Sequence, residues 1–269
     1  MKIGTTSFAF RYLLMDRSRA PRLEYVAEQA HQLGLERLQI CENARPLDLP
    51  PSEWEDFLKK SKKYGIEVHM GCKTLDPAVL ERTLRQAMGI PSQTVRIVLE
   101  DGDKPPTPEQ IDAFLDPAVR LAEKYGMRLA LENHFDLSVR QLVSAARPFP
   151  PDLLGFCVDA ANSLRRFEAV EEVFDCLGSR AYCFHLKDYK VTGSNVGFAV
   201  IGTPLGQGDL PLEWVLDEIF KRQEDPEIYL ENWVPPTGVW EQDVQKDHEW
   251  LLESATALRE RLAIRPNPM

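Results

Sequence analysis

Hydrophobic positions occur along the chain in two kinds of run. Short runs of β-branched, aliphatic and aromatic residues indicate strands, and longer runs with apolar residues three or four positions apart indicate helices. The predicted strands are residues 2–8, 37–41, 66–71, 94–99, 128–131, 154–158, 181–186 and 228–230. The predicted helices are residues 21–33, 51–64, 76–88, 107–125, 138–146, 164–177, 211–222 and 240–262.

Each predicted strand is followed by a predicted helix, and residues at the helix boundaries support the assignment. Asp76 stands at an N-cap position before a proline, for example, and Gly65 stands where a helix ends. Regular alternation of this kind favours parallel βα units. We therefore expect an α/β fold, a (β/α)8 TIM barrel that forms a single domain over residues 1–269, with residues 263–269 as a flexible tail. An open doubly wound sheet is the alternative.

The composition is typical of a globular chain rather than of a membrane or disordered one. Hydrophobic residues make up 43% and charged residues 28% of the 269 positions. No apolar run approaches the roughly 20 residues that a bilayer span requires. The first ten residues, MKIGTTSFAF, lack the apolar stretch of a signal peptide. The expected location is therefore the cytoplasm, without membrane attachment.

Charge and cysteine usage argue against further classes of protein. The net charge of -10 repels phosphate backbones over most of the surface, so nucleic acid is not expected as a partner. The five cysteines include no CxxC pair, and Cys41, Cys157 and Cys183 fall inside predicted strands, where a thiol packs as a small hydrophobe. We expect reduced thiols, as in a reducing compartment.

The last four predicted strands end in residues able to bind a metal or move a proton. The strand sequences are RLALENH, LLGFCVDAAN, AYCFHLKDY and EIYLENW, and the residues are Glu132, Asp159, His185 and Glu231. Each residue alone has an ordinary explanation, such as a solvated strand end, a helix cap or a buried histidine. Neighbouring parallel strands lie about 4.8 Å apart, so four such residues at consecutive strand ends converge on one edge.

Three carboxylates and an imidazole in one place indicate a metal site. Crowded carboxylates raise one another's pKa and oppose folding unless a cation neutralises them. The donor set is mostly hard, which favours Mn, Mg or Co, or a loosely bound Zn, over a structural thiolate zinc site. We therefore expect one divalent metal ion bound by Glu132, Asp159, His185 and Glu231.

The same motifs are similar to those of a known superfamily. The contexts LENH, FCVDAAN, FHLKD and YLENW, in this order, resemble the xylose isomerase-like TIM-barrel superfamily, which includes sugar phosphate isomerases, hydroxypyruvate isomerase, ketose 3-epimerases and endonuclease IV. The resemblance extends from the TTSF segment of the first strand to the closing helix. It implies that the four residues bind one divalent metal and that Glu132 and Glu231 also act as catalytic acid and base.

A metal-dependent sugar isomerase or epimerase is the first function hypothesis. A divalent cation stabilises the enediolate that forms when one glutamate removes the proton next to a substrate carbonyl, and the other glutamate can return a proton. Return on the opposite face gives epimerisation, and return to the next carbon gives isomerisation. A metal-dependent lyase or hydratase acting on a keto-sugar or keto-glycoside is the alternative, and a nonenzymatic sugar-binding protein is a third possibility.

Other polar side chains near the strand ends are candidates for binding a small carbohydrate substrate. Lys187 lies two residues after His185, so strand alternation directs both to the same side. His134 and Asn162 follow two of the predicted ligands, and His69 lies near the end of the third predicted strand. We expect Lys187, His69, His134 and Asn162 to contact the substrate, and the superfamily resemblance also allows a homo-oligomer.

The sequence departs from particular members of the superfamily. Ketose 3-epimerases carry a histidine where this chain has Asn162 and an arginine near the position of Val191. Endonuclease IV uses additional histidines and an Asp-x-His motif that this chain lacks. The motifs therefore indicate the superfamily and leave the substrate open.

The segment between the seventh predicted strand and its helix is unusually long. Residues 187–210 are predicted as a loop, and a loop of this length in a compact domain usually has a function. The segment contains the glycine-rich stretch IGTPLGQG at 201–208, followed by Asp209. A glycine-rich backbone can bind phosphate, but a mobile lid or a turn is the simpler explanation.

Overall fold

The computed structural model of the chain describes residues 2–16, 23–100, 102 and 104–265. The strands are β1 (Ile3–Thr6), β2 (Arg37–Ile40), β3 (Glu67–Lys73), β4 (Thr94–Val98), β5 (Arg128–Glu132), β6 (Leu154–Asp159), β7 (Ala181–Leu186), β8 (Asp188–Ser194), β9 (Gly197–Thr203) and β10 (Ile228–Leu230). Across these described residues, all strands except β8 and β9 are parallel and close into one eight-stranded barrel, with β10 paired to β1. The predicted (β/α)8 TIM barrel is confirmed.

Helices connect the barrel strands. They are α1 (Arg11–Met15), α2 (Leu23–Gln32), α3 (Pro51–Lys63), α4 (Pro77–Ala87), α5 (Pro108–Lys124), α6 (Val139–Ala146), α7 (Val170–Leu177), α8 (Leu212–Arg222) and α9 (Trp240–Ala263). Capping fixes several helix starts: Asp76 caps α4, and Thr107 and Ser138 form capping boxes at α5 and α6. Within the described part of the chain, no helix combines the length and apolar character needed to cross a bilayer.

Some predicted boundaries differ from the structure. The predicted helix at 164–177 is interrupted, because Phe167 adopts a left-handed backbone conformation with φ of 58° between a 3-10 turn and α7. The short helix α1 was not predicted, since five residues are too few for a periodic pattern. The predicted helix start at residues 21–22 and the tail residues 266–269 lie outside the described residues.

The long segment predicted as a loop contains an antiparallel hairpin. β8 and β9 pair from Asp188 opposite Thr203 to Ser194 opposite Gly197. Most residues of this hairpin are exposed. The sequence pattern did not reveal the hairpin because strands without a buried face have no alternation of apolar and polar residues.

The interior of the barrel is partly polar, and this determines where chemistry can occur. In β2, Leu38 and Ile40 pack in the main hydrophobic core, whereas Gln39 between them contacts His185 across the barrel. Arg96 on β4 is also buried, with 2% of its surface exposed. Because neighbouring residues of a strand point to opposite faces, one set of positions stabilises the core and the other lines the barrel interior.

A buried carboxylate joins the last helix to the first. Asp247 on α9 accepts a hydrogen bond from the Tyr12 backbone N–H at 3.1 Å, and Trp240 donates to the Tyr12 carbonyl at 2.8 Å. Burial raises the pKa of Asp247 to about 7, against the opposing effects of the Tyr12 N–H and of Arg11. The folded chain therefore binds this proton more tightly than the unfolded chain, and ionisation of Asp247 destabilises the fold.

We predict that Asp247→Asn stabilises the protein at alkaline pH. Wild-type stability should fall as pH rises from about 4 to about 7, since the folded pKa is the higher one, and the loss is complete above pH 7. The Asn side chain does not ionise, so the variant keeps this stability. Its unfolding free energy should exceed that of the wild type by an amount that grows with pH to roughly 2 to 4 kcal/mol, at about 1.4 kcal/mol per pKa unit. Urea unfolding at pH 5 and pH 8 measures it.

Asp243→Asn is the matched control on the same helix. Hydrogen bonds from the Thr237 backbone N–H and side chain lower the pKa of Asp243, so ionisation of this residue stabilises the fold. The control should be less stable than the wild type by the same amount at pH 5 and at pH 8, because a carboxylate with a lowered pKa is ionised at both pH values. The same pH response in both variants would contradict the assignment to Asp247.

Candidate metal centre

The four predicted ligands lie together at the carboxyl ends of neighbouring barrel strands. Glu132 ends β5, Asp159 ends β6, His185 lies one residue before the end of β7, and Glu231 directly follows β10. Asp159 is paired in register with His185. All four side chains are buried. The fold therefore gathers these groups at one rim of the barrel, where TIM-barrel enzymes have their active sites.

The donor atoms of these residues are close enough to share one cation. One atom each from Asp159, His185 and Glu231 lie within 4.8 Å of one another. His185 Nδ1 is 3.3 Å from Glu231 Oε1 and 3.6 Å from Glu132 Oε2, which adds the fourth residue to the group. Oxygen ligands of divalent ions lie about 2.0–2.6 Å from the metal, so ligand atoms of one ion are separated by no more than about 5 Å.

The imidazole presents a lone pair to this group. Gln39 Oε1 lies 3.0 Å from His185 Nε2, which assigns the proton to Nε2 and leaves Nδ1 as an acceptor. Nδ1 is buried, and no described residue gives it a hydrogen bond. Metal-binding histidines typically use their second ring nitrogen in this way, as a donor to a nearby oxygen. The residues present therefore fit a divalent ion.

The ammonium group of Lys187 lies within the same cluster. Lys187 Nζ is 2.8 Å from Asp159 Oδ2 and 2.6 Å from Glu231 Oε2, and only 3% of the lysine side chain is exposed. Nζ also donates to Asn162 Oδ1 at 3.3 Å. Strand alternation correctly places Lys187 on the same side as His185, and the structure adds that its charge is paired with two of the predicted metal ligands.

These contacts shift the pKa values of the cluster. Burial would raise the pKa of Glu231, but Lys187 and then His185 outweigh it and hold the pKa well below its usual range. Burial would lower the pKa of Lys187, but Asp159 and Glu231 raise it above its usual range. Burial raises the pKa of Asp159 more than Lys187 lowers it. Asp159 is thus the carboxylate whose charge is compensated least.

Glu132 is held by two other side chains. Arg96 Nε donates to Glu132 Oε2, and Asn162 Nδ2 donates to Oε1 at 2.9 Å. Arg96 also donates to Glu42 Oε2 at 2.9 Å. Burial would raise the pKa of Glu132, but Arg96 and then His185 hold it below its usual value. The sequence patterns did not identify Arg96, although a charged residue in the apolar strand TVRIV is a signal of a buried ion pair.

Hydrogen bonds fix the orientation of two of the carboxylates. The Asn133 side-chain amide accepts from the Asp159 backbone N–H at 2.8 Å and donates to its carbonyl at 2.9 Å. Asp159 Oδ1 accepts two further backbone N–H groups at 2.8 Å. On the opposite side of the cluster, Thr6 Oγ1 donates to Glu231 Oε1 at 2.7 Å. Each of these carboxylates is therefore held before any ligand arrives.

A cavity of about 770 Å³ opens onto the cluster, and this volume is typical of small-molecule sites. Glu132, Lys187 and Glu231 line it, as do the predicted substrate contacts His134 and Asn162. The outer wall is largely apolar, and its aromatic members are Phe8, Phe135, Phe167, Phe198 and Trp233. Polar groups of a ligand would therefore bind at the cluster, while its remaining surface meets aromatic rings.

The hairpin of β8 and β9 forms part of the cavity wall and is anchored at its base. A Cβ atom on Gly202 would collide with the backbone of Trp233, so the hairpin packs closely against the segment after β10. The Asp188 carboxylate accepts the backbone N–H groups of Gly206 and Gly208. These donors of the glycine-rich stretch are therefore used within the protein rather than presented as a phosphate site.

His69 lies away from the cavity, which corrects the prediction that it contacts substrate. It is the third residue of β3, well before the carboxyl end of the strand at Lys73. His69 Nδ1 is 2.7 Å from the Tyr229 hydroxyl and 3.5 Å from Glu227 Oε2. Burial lowers its pKa to about 4. Strand alternation predicts the inward direction of His69 but not its depth in the barrel.

Comparison with known proteins identifies one relative of nearly equal length. The chain is 26% identical over 264 residues to the 3-oxo-isoapionate decarboxylase of Pectobacterium atrosepticum, an alignment that covers 97% of this chain and 96% of the relative.

Solved structures share the fold at lower identity. D-psicose 3-epimerase from Clostridium cellulolyticum H10, solved with D-tagatose, superposes with a TM-score of 0.74 at 14% identity, covering 98% of this chain and 99% of its own. A xylose isomerase-like TIM-barrel protein from Mycobacterium smegmatis, in complex with magnesium, superposes with a TM-score of 0.72 at 13% identity, covering 95% of this chain and 97% of its own.

The family model described as xylose isomerase-like TIM barrel matches residues 27–254. This match includes all four residues of the cluster and most of the barrel. Together with the shared fold of the solved structures, it establishes that the chain belongs to the xylose isomerase-like TIM-barrel family.

Proposed function

We propose that the protein is a divalent-metal-dependent lyase that decarboxylates a 3-oxo sugar acid. The observation that carries this proposal is the fixed cation beside the cavity, Lys187, held 2.8 Å from Asp159 and 2.6 Å from Glu231. Decarboxylation of a 3-oxo acid requires electron withdrawal at the ketone and the return of one proton, and it requires no base to remove a C–H proton. The relative named as a 3-oxo-isoapionate decarboxylase supports the same substrate class.

The metal would be held by Glu132, Asp159, His185 and Glu231. When bound, it supplies a Lewis acid that withdraws electrons from the ketone of the substrate. Mg, Mn and Co suit the three carboxylates. The magnesium complex of a structural relative supports a hard ion.

The reaction balances without a further reactant. The bond between C1 and C2 breaks, C1 leaves as carbon dioxide, and the electron pair moves towards the oxygen at C3. C2 then takes up one proton, and the product is a ketose with one carbon fewer. Lys187 is the side chain we assign to return that proton, because its ammonium group lines the cavity and is hydrogen-bonded to both Glu231 and Asn162.

A sugar isomerase or epimerase is the second candidate. The contacts of Glu132 and Glu231 with the same nitrogen of His185 support it, since two glutamates close to one site can act as acid and base. Its weakness is that both oxygens of Glu132 are engaged, one by Arg96 and one by Asn162. A carboxylate held in this way has little freedom to remove a substrate proton, so we place the lyase first.

Product analysis tests the proposed reaction. Purified protein with Mg²⁺ or Mn²⁺ should convert a 3-oxo sugar acid into carbon dioxide and a ketose with one carbon fewer. In D2O, one deuterium should appear on the carbon that carried the carboxylate, as measured by mass spectrometry and NMR. A product that keeps the mass of the substrate and carries deuterium next to the ketone would instead identify an epimerase or isomerase.

Metal binding can be tested separately from catalysis. Asp159→Asn keeps the shape of the side chain but removes a charge, so Mn²⁺ affinity measured by calorimetry should fall about 100-fold. Asp175→Asn, at an exposed position on α7, is the control and should bind Mn²⁺ like the wild type. Equal affinities of the two variants would remove Asp159 from the metal site.

Replacing Lys187 should lower turnover without weakening metal binding. Lys187→Met should lower turnover by about 100-fold or more, because the proton donor is lost. Mn²⁺ should bind at least as tightly as in the wild type, because an ammonium group that contacts two of the ligands has been removed. Lys190→Met, on the exposed part of the hairpin, is the control. Unchanged turnover in Lys187→Met would refute the assignment.

A further inference from the structure

A thiol lies one layer below the proposed metal ligands. Cys157 precedes Asp159 by two residues on β6, so both side chains point to the same side of the strand. One donor atom each from Glu132, Cys157 and His185 lie within 4.8 Å of one another, and all three residues are buried. This second group shares Glu132 and His185 with the cluster described above and replaces its remaining carboxylates by sulfur.

The unpartnered nitrogen of His185 is a second observation that points to a ligand. Nδ1 belongs to a side chain with 0% exposure, and it lies 3.6 Å from Glu132 Oε2 without receiving a hydrogen bond from a described residue. An imidazole nitrogen and a carboxylate oxygen are therefore already close together beside the buried thiol. A divalent cation can bind all three donors at once.

Sulfur changes which cations the site prefers. Thiolate ligands select Zn²⁺ and other soft ions, whereas carboxylates suit Mg²⁺ and Mn²⁺. Cys157 is adjacent in register to Cys183 on β7, and both are free thiols. Cys72 and Cys176 belong to neither candidate group.

We propose that Glu132, Cys157 and His185 form a second position for a soft divalent ion such as Zn²⁺ or Cd²⁺, and that its occupation excludes a hard ion from the catalytic position. Exclusion follows because the two positions share His185 and Glu132. As the metal–sulfur bond forms, the Cys157 thiol releases its proton to solvent, and no electron transfer is involved. The inference rests on the proposed function only in using Glu132 and His185 as metal ligands.

With this site, the metal ion that is bound determines whether the enzyme is active. Mg²⁺ and Mn²⁺ would support turnover from the carboxylate-rich position. Zn²⁺ and Cd²⁺ would be drawn towards the sulfur, away from the cavity, and would inhibit the enzyme loaded with Mg²⁺ or Mn²⁺. Cys157 is thus the residue that determines metal selectivity in this chain.

Cadmium spectroscopy tests the site without any substrate. Cd²⁺ added to the reduced, metal-free protein should produce a sulfur-to-cadmium charge-transfer band in the ultraviolet. Cys157→Ser should lack the band, whereas Cys72→Ser, which alters a buried thiol on β3, should retain it. No band in the wild type, or a band that persists in Cys157→Ser, would overturn the proposal.

A measurement on the wild type covers the case in which Cys157→Ser does not fold. The ¹¹³Cd NMR signal of the cadmium-loaded protein should have the shift of an ion with a sulfur ligand, and a shift typical of oxygen and nitrogen ligands alone would refute the site. Where turnover is measurable, Cys157→Ser should require at least tenfold more Zn²⁺ for half-inhibition. Both spectroscopic measurements can be made even if the decarboxylase assay shows no activity, so each proposal can be refuted without refuting the other.

Discussion

Charge neutralisation at one rim of the barrel is the constraint on which the site depends. In the ion-paired network around the cluster, four carboxylates contact two cations: Arg96 pairs with Glu42 and Glu132, and Lys187 pairs with Asp159 and Glu231. This network has two negative charges in excess, which one divalent ion would balance. Nδ1 of His185, which receives no hydrogen bond from a described residue, lies within the same group. Crowded carboxylates in a low-dielectric interior make such compensation necessary for folding as well as for chemistry.

The barrel fixes these charges in place by bonds that do not involve the ligand. Asn133 connects the ends of β5 and β6 through the backbone of Asp159, and Thr6 brings the end of β1 to Glu231. Gln39, from the opposite side of the barrel, sets the protonated nitrogen of His185. Because each bond crosses between strands, the closed register of the barrel itself determines the donor geometry, and a substrate meets a site that is already organised.

The sequence predicted the features that depend on local pattern and missed those that depend on distant pairs. The strand ends bearing Glu132, Asp159 and His185 could be located because a buried strand and its terminal polar residue are adjacent in the chain. Arg96 pairs with Glu132, which lies 36 residues away in the sequence, and no local sequence pattern indicates a pair at that separation. His69 was misplaced for a related reason: alternation gives the direction of a side chain, while its depth depends on the register between strands.

The difference between local patterns and distant contacts also explains why the ligand motifs identify a family but not a reaction. Proteins similar to this chain are named for epimerase and decarboxylase activities, so family membership does not by itself determine which bond of a substrate breaks. The groups that contact the proposed metal ligands give further information. Asn162 and Arg96 hold the two oxygens of Glu132, and Lys187 contacts Glu231. The restraint on one glutamate and the ammonium group beside the other are the features on which we base the proposal of proton return, the requirement of decarboxylation, over proton removal.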